Sequence, residues 1–285
     1  MSLTIGTAPF GRRSGGSFNA AVQVDPDHGH VLYFEDSPRR VRGVFAGETI
    51  VDSTRAKLMH ETGLLPVYYF PEEDVDADLL EATEHSTHCP FKGDASYWSV
   101  VVGDRMAENA AWHYPEPIDG APPLAGYVAF YWKALDQWFE EDEEVFVHAR
   151  DPYHRVDVID SSRHVRVSVN GEVVAETTRP KLLFETGLPT RYYIPPADVR
   201  ADALEPSDTT TRCPYKGIAT YRSVIAGGER EDALVWTYVD PIRAAAEIAG
   251  QLAFFNERVD LEVDGVPQER PQTQWSRPAA AARSE

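Results

Sequence analysis

One feature constrains this chain more than any other: a five-residue motif occurs twice, and the residues around it occur twice with it. Cys89-Pro90-Phe91-Lys92-Gly93 returns as Cys213-Pro214-Tyr215-Lys216-Gly217, 124 residues further on. A constant spacing means that no net insertion separates the two copies over this stretch. We therefore interpret the chain as a tandem duplication of one domain. The same spacing joins other identical pairs: Glu61 and Glu185, Tyr69 and Tyr193, Trp112 and Trp236, and Gly126 and Gly250.

Within the motif, the residue types predict a tight turn between two strands. Proline fixes one backbone angle at Pro90 and favours an extended Cys89, and Gly93 can take a conformation that other residues resist. From Ala95 and Tyr97 onward, successive residues alternate between two faces, which is typical of a strand. The motif is therefore predicted to form the rim of a β-hairpin.

The rest of each copy is predicted to consist of short strands and turns. In the second copy, Val165, Val167 and Val169 alternate with polar residues and lead into Asn170-Gly171, a dipeptide favoured in two-residue hairpins. The sequence thus predicts a mainly β chain of two tandem small antiparallel β-domains, related by pseudo-two-fold symmetry. Two acidic segments are predicted loops with at most one helical turn: residues 72–84 and 196–208.

With 285 residues, the chain has room for two domains of ordinary size. The repeat predicts the first domain at residues 25–147 and the second at residues 148–268. The acidic segment 136–144 is predicted to belong to the connection between them. Residues 1–24 are rich in Gly, Ser and Arg, and residues 269–285 in Pro, Gln and Ala, so we expect a disordered arm and a disordered tail.

Composition restricts the partners and the compartment. A formal charge of −19, from 46 acidic and 27 basic residues, opposes binding to phosphate backbones, so we expect no nucleic-acid partner. Residues 1–17 contain no apolar core typical of a signal peptide, and no apolar run reaches the ~18 residues of a membrane span, so we expect a cytoplasmic protein without a membrane partner. Each copy has a single cysteine and cannot form an internal disulfide. Duplication predicts a monomer with an internal pseudo-dimer, or a weak homodimer.

A thiol, an ammonium and a carboxylate recur in both copies and are the candidate catalytic groups. An ammonium near a thiol favours the thiolate, and a carboxylate can act as a base. The alternative is that the cysteine is a small buried apolar residue and that Lys-Gly after proline is ordinary turn chemistry. Both interpretations stay open from sequence. The candidates are Cys89, Lys92 and Glu61 in the first copy, and Cys213, Lys216 and Glu185 in the second.

A second set of paired positions is suited to ligand binding. Arginine and lysine can hold a carboxylate or a phosphate, and tyrosine and tryptophan can form a wall for a flat ring. Solvated salt bridges and ordinary core packing would explain the same residues. The candidates are Arg55, Lys57, Tyr69 and Trp112, with Arg179, Lys181, Tyr193 and Trp236 in the second copy.

Histidines near the motif raise the question of a metal site. His85, His88 and Cys89 resemble a ligand set in the first copy, but the second copy lacks both histidines and cannot repeat it. We therefore expect no metal and no other cofactor. His30 and His154 do correspond, and one histidine per domain is more typical of a hydrogen-bonded structural residue than of a base.

Five short motifs of the first copy recur, in most of their residues, in the second. They are Lys57-Leu58 with Glu61-Thr62, Tyr68 to Pro71, Cys89 to Ala95 with Tyr97-Trp98, Trp112 to Tyr114, and Gly126 to Phe130. Together they resemble a bacterial family catalogued as domain of unknown function 427, also labelled nucleotidyltransferase-like. The resemblance spans nearly all of residues 30–265.

This resemblance implies a small fold similar to the β-tent of cereblon's ligand-binding domain and of methionine sulfoxide reductases. Zinc sites in such folds use two Cys-x-x-Cys pairs, whereas each copy here has one cysteine, so zinc is not expected. The resemblance implies no established activity. The chain has neither the Gly-Ser pair and paired aspartates of usual nucleotidyltransferases nor a Walker loop.

Our first hypothesis is that each copy binds a small polar or aromatic molecule without metal. The alternatives are an enzyme, in which Lys92 or Cys89 acts with Glu61 on a nucleotide-like or carbonyl substrate, and a pseudo-symmetric interaction scaffold. The location of the candidate residues distinguishes these hypotheses, because convergence on one concavity favours binding or catalysis and scattering favours the scaffold. The residues to locate are Arg55, Lys57, Glu61, Cys89 and Lys92.

Overall fold

The fold is known from a computed structural model that describes residues 32–276 of the chain. Contacts between Cα atoms divide it into two compact units, and the boundary falls between Tyr153 and His154. The predicted fold class is confirmed, because the chain is mainly β and each repeat contains a pair of antiparallel sheets. Among the described residues, no helix is both long enough and apolar enough to cross a bilayer. The predicted arm at residues 1–24, and His30, lie outside the described residues.

The first unit contains a seven-stranded sheet, in the order β1-β4-β5-β9-β8-β7-β6, and a four-stranded sheet, in the order β11-β10-β2-β3. Short 3-10 turns lie at Glu72–Asp74, Ala77–Leu79 and Trp132–Ala134. The strands are β1 Leu32–Asp36, β2 Val41–Phe45, β3 Glu48–Ser53, β4 Lys57–Glu61, β5 Val67–Pro71, β6 Leu80–Cys89, β7 Gly93–Val102, β8 Arg105–His113, β9 Tyr127–Phe130, β10 Gln137–Glu140 and β11 Glu143–Glu144.

The second unit repeats this connectivity, with sheets in the orders β12-β15-β16-β20-β19-β18-β17 and β14-β13-β21-β22. Its 3-10 segments are Pro196–Asp198, Ala201–Ala203 and Arg243–Ile248. The same topology in both units is what a duplication produces. The strands are β12 Val156–Asp160, β13 Val165–Val169, β14 Glu172–Thr177, β15 Lys181–Glu185, β16 Arg191–Ile194, β17 Leu204–Cys213, β18 Gly217–Ala226, β19 Glu229–Pro241, β20 Leu252–Phe254, β21 Asp260–Val263 and β22 Val266–Pro267.

Alternation along the strands gives the large sheet of each unit two apolar faces. In β5, Tyr68 and Phe70 pack with Trp138 of the small sheet, whereas Tyr69, between them, packs on the opposite face with Tyr97 and other residues. Burial of side chains of this size contributes roughly 1.5–3 kcal/mol each to folding. Each large sheet therefore has one face in the inter-sheet core and a second, aromatic face that carries most of the candidate site.

The repeated motif forms a hairpin turn, as its sequence predicts. Cys89 ends β6, Gly93 begins β7, and the two residues are paired across the hairpin. Gly93 has a φ of +107°, and a Cβ atom there would lie 3.2 Å from the carbonyl oxygen of Glu116. Glycine is thus required both by the backbone angle and by the close approach of the following loop. Gly217 has the matching φ of +100°.

Three parts of the prediction are wrong, each for a physical reason. Segment 136–144 is not a connection, because β10 and β11 add it to the small sheet of the first unit, where Trp138 and Glu140 are buried. Residues 80–84 and 204–208 begin the edge strands β6 and β17, whose mostly exposed side chains show no apolar alternation. The tail predicted from residue 269 begins with ordered residues, because Thr273 donates a hydrogen bond to Glu257 (2.6 Å). Residues 277–285 lie outside the described part.

Candidate functional site

The lysine of the motif and the glutamate at the end of β4 are brought together in the first repeat. Lys92 Nζ lies 2.5 Å from Glu61 Oε2, and about 9% of each side chain is exposed. The Lys92 ammonium also lies 5.8 Å from the centre of the Tyr114 ring. A buried ammonium and carboxylate compensate one another only while they stay paired. The hairpin turn thus fixes a neutral ion pair beside an aromatic face.

The second repeat has the same ion pair, and its carboxylate is also bonded to a histidine. Lys216 Nζ lies 2.5 Å from both carboxylate oxygens of Glu185, and His154 Nε2 lies 3.0 Å from Oε1. The His154 ring stacks on Tyr215 at 4.0 Å. Burial alone would raise the pKa of Glu185, but the hydrogen bond with His154 and the charge of Lys216 outweigh it, so the pKa lies below its ordinary value.

The paired aromatic candidates also have the same geometry in both repeats. The rings of Tyr69 and Trp112 are perpendicular, with centroids 6.3 Å apart, and so are those of Tyr193 and Trp236. In the second repeat, Trp236 Nε1 donates a hydrogen bond to the Tyr193 hydroxyl at 3.0 Å. Burial raises the pKa of Tyr69 above its ordinary value. These tyrosines are therefore neutral parts of an aromatic wall that both repeats share.

In the first repeat, this wall borders a cavity of about 460 Å³. Nine of its nineteen lining residues are Phe, Tyr or Trp, and Glu61 and Lys92 lie among them. Apolar side chains at its mouth are unusually exposed, with Leu64 at 63%, Leu65 at 58% and Tyr131 at 50%. A concave apolar surface of this size with a few polar groups is the usual form of a small-molecule site.

Cys89 belongs to the surroundings of this cavity and not to its wall. The residue is partly buried and packs against the aromatic cluster that contains Tyr69 and Tyr97, but it is not among the lining residues. Across the turn, the backbone N–H of Lys92 donates a hydrogen bond of 3.3 Å to the carbonyl oxygen of Cys89. The cysteine thus packs as a small apolar residue here. Cys213 is likewise partly buried.

The remaining candidates, Arg55 and Lys57, lie elsewhere. Both line a separate depression of about 510 Å³ together with Asp36 and Glu73. Arg55 is bonded to Glu73 (3.2 Å) and to Asp74, and Lys57 to Asp36. The charges there are already paired within the chain. Their counterparts are paired too, Arg179 with Asp198 (3.1 Å), and Lys181 with Asp160 (2.6 Å) and Glu247 (2.9 Å).

At the position of the cavity, the second repeat carries an ion pair that the first repeat lacks. Arg191 donates two hydrogen bonds to Glu257, both 2.7 Å long, and their side chains are 6% and 0% exposed. The guanidinium lies 5.5 Å from the ring of Trp236 and 5.4 Å from that of Trp275. Burial would raise the pKa of Glu257, but the hydrogen bond from Arg191 holds it below its ordinary value.

Backbone bonds establish which residues of the first repeat correspond to this pair. Val67 pairs with Met59 as Arg191 pairs with Leu183. The turn bond from Ala134 N to Tyr131 O returns as Arg258 N to Phe255 O, so Lys133 and Glu257 occupy the same turn position. Val67 and Lys133 both line the cavity. Trp112 is partly exposed, whereas Trp236 is only 7% exposed beneath the guanidinium.

Sequence reasoning missed several cavity residues because it favoured positions that both copies keep. The mouth is formed by Leu64, Leu65, Tyr131, Trp132 and Lys133, which follow recurring motifs closely but differ in part between the copies. The run Tyr131-Trp132-Lys133 becomes Phe255-Asn256-Glu257. Divergence immediately after a recurring motif was the signal that could have identified them.

The histidines near the motif have other contacts. The His85 ring packs on Tyr97 with centroids 4.5 Å apart, and His88 Nδ1 lies 2.6 Å from Asp94 Oδ1. Within residues 32–276, no group of three or more His, Cys, Asp or Glu side chains is arranged to hold a metal ion.

The model of a family described as domain of unknown function (DUF427) matches residues 33–141 and again residues 157–265. The two matches coincide with the two repeats and together cover more than half of the chain. No curated protein matches the sequence.

Proposed function

From the premise that this chain belongs to the DUF427 family through both of its repeats, we propose that its first repeat binds a small molecule with a flat aromatic ring. The observation that carries the proposal is the cavity of about 460 Å³, whose wall combines aromatic rings with one buried ion pair. Its volume lies within the range of roughly 300–1,000 Å³ that is common for small-molecule sites. The Trp112 and Tyr131 rings pack on one another with centroids 4.6 Å apart, and a ligand ring that lies against this pair would bury apolar surface and gain stacking contacts.

The proposal narrows the expectation of one ligand in each repeat to one ligand in the first. Arg191 lies against Trp236 in the second repeat, where the first repeat has open space beside Trp112. The Arg191–Glu257 pair is held by two hydrogen bonds, so an incoming ring would have to displace a buried charge pair. Binding to the second repeat is therefore expected to be much weaker.

A matched pair of variants tests the proposal. Aromatic compounds of neutral, anionic and cationic kinds are titrated into the protein, and binding is followed by tryptophan fluorescence and calorimetry. Tyr131→Ala removes a half-exposed ring at the cavity mouth and should weaken binding by about fivefold or more. Phe255→Ala removes the matching ring of the second repeat and should leave the affinity unchanged. Absence of binding by every compound, or equal losses in both variants, would refute the proposal.

Catalysis by a thiol or an amine is the second candidate, and one observation favours it: Lys92 and Glu61 lie together on the cavity wall. Against it, an ammonium bonded to a carboxylate has no free lone pair for attack, and Cys89 lies off the wall. Alkylation of the native protein by iodoacetamide distinguishes the two. We expect slow labelling of Cys89 and Cys213 alike, whereas fast labelling of Cys89 that a bound ligand blocks would favour the enzyme.

A further inference from the structure

In the second repeat, the side chain of Arg191 lies against the aromatic wall. It therefore shows which kind of chemical group that wall accepts. The group that lies on Trp236 is planar, and it carries a charge opposite to that of residue 257, with which it forms two hydrogen bonds. A guanidinium between two aromatic rings and a carboxylate is favourable through cation–π contact and through charge-assisted hydrogen bonds together. The charge at position 257 is therefore opposite in sign to the charged group on the wall.

In the first repeat, the charge at the corresponding position is reversed and the planar group is missing. Lys133 takes the position of Glu257, and Val67 takes that of Arg191. Lys133 lines the cavity, is exposed, and has no carboxylate partner within residues 32–276. Among the lining residues, Glu61 is the one acidic side chain, and Lys92 neutralises it. The wall thus presents aromatic rings and one unpaired positive charge, with His148 nearby as a further polar group.

We propose that the ligand of the first repeat is a planar aromatic anion, an arene carboxylate, whose ring lies on Trp112 and whose carboxylate pairs with Lys133. This inference rests on the proposed function and specifies the chemical class of its ligand. The carboxylate takes the place that the Arg191 guanidinium has in the second repeat, with the sign of both partners exchanged. A chain of two intact repeats accordingly binds one such molecule.

Three probes of the same shape and different charge test the inference. Naphthoate, naphthamide and naphthamidine are titrated by calorimetry into the full chain. Naphthoate is expected to bind about tenfold more tightly than the neutral amide, the size of a single charge-assisted contact of about 1.4 kcal/mol. Naphthamidine should bind more weakly than either, and the stoichiometry of naphthoate should be one per chain.

Charge reversal at one residue gives the decisive comparison. In Lys133→Glu, the preference should reverse, so that naphthamidine binds more tightly than naphthoate. Arg222→Glu is the control, since it makes the same change in net charge at an exposed position of the second repeat. It should leave the order of the three probes unchanged. Arg191→Val combined with Glu257→Lys gives the second repeat the residues of the first and should raise the naphthoate stoichiometry toward two.

The outcomes separate this inference from the proposed function. Equal binding of the three probes, or tightest binding of naphthamidine to the unmodified protein, overturns the inference about charge and leaves an aromatic site in place. An unchanged order in Lys133→Glu overturns the role of Lys133. Binding of none of these probes overturns the inference, and failure of the wider compound set to bind overturns the proposed function itself.

Discussion

Arg191 and Glu257 show, at the scale of single residues, how strongly a buried charge depends on its partner. With 6% and 0% of their side chains exposed, neither can regain full hydration if the other is removed. Replacing both members of a buried pair by apolar residues often leaves the free energy of unfolding almost unchanged, whereas replacing only one member lowers it strongly. The pair should therefore behave as a unit.

Arg191→Met is expected to lower the free energy of unfolding by about 3–5 kcal/mol, because it leaves the Glu257 carboxylate buried without its counter-charge. The double variant Arg191→Met with Glu257→Met should recover most of that loss. Urea denaturation followed by tryptophan fluorescence measures both. Arg55→Met is the control, because Arg55 is 54% exposed and solvent screens its pairing with Asp74, so this change should alter the free energy of unfolding much less. A double variant as unstable as the single one would contradict this account.

The pKa values of Glu185 and Glu257 predict acid sensitivity. Both lie below the ordinary value of 4.5, so the unfolded chain binds these protons more readily than the folded one. The stabilisation is therefore complete above pH 4.5 and is lost as the pH falls below it. Glu257→Gln removes one of these groups, so the free energy of unfolding should fall less steeply between neutral and acidic pH than in the unmodified chain. Identical slopes would show that Glu257 does not contribute.

At the scale of elements, the hairpin turn that carries Lys92 depends on a glycine for two separate reasons. Gly93 has a positive φ, and the loop after β8 passes within 3.2 Å of where its Cβ would lie. Gly47, in the turn between β2 and β3, has a φ of +87° but nothing within 4 Å. Comparing the two positions separates backbone strain from steric contact.

Gly93→Ala should destabilise the protein by more than about 1 kcal/mol, since it combines an unfavourable φ with a backbone contact. Gly47→Ala should cost less, because only the unfavourable φ applies. Thermal denaturation gives both values. A further expected result is weaker naphthoate binding in Gly93→Ala, because a shifted turn displaces Lys92 from Glu61. Equal losses of stability at the two glycines would show that the contact with Glu116 is unimportant.

At the scale of the whole molecule, each repeat has its own pair of sheets and its own buried clusters. The apolar clusters around Phe70 and Tyr69 belong to the first unit, and those around Ile194 and Tyr193 to the second. A unit that buries a complete core can fold independently of its neighbour. The chain should thus behave as two folding units in tandem.

Fragments 1–153 and 154–285, divided at the observed boundary, should each fold when produced separately. Each should give a β-type circular dichroism spectrum and a cooperative thermal transition. Only the first fragment is expected to bind naphthoate. Two unfolded fragments would show that neither unit is stable alone and would contradict the assignment of independent cores.

Local patterns were sufficient to predict the repeat, the mainly β class and the hairpin turn of the motif. Pro90, Gly93 and the Asn170-Gly171 pair act through their own backbone angles, and alternation in β13 reflects burial of one face, so each signal lies within a few residues. Lys92 and Glu61 were named as candidates because both recur at one spacing, but their ion pair was not predicted. Edge strands such as β6 were missed, because an exposed strand shows no apolar period.

The sequence by itself determined that this chain is a duplicated, acidic, mainly β protein of the DUF427 family, because a repeat, a charge balance and strand periodicity are properties of residue order. Only the tertiary structure decided which candidates meet. Lys57 and Glu61 lie on one strand, yet Lys57 pairs with Asp36 while Glu61 reaches Lys92. The tertiary structure also decided that Arg191 lies on Trp236. A residue's partner depends on which strands and turns pack together, and local spacing in the sequence does not encode that packing.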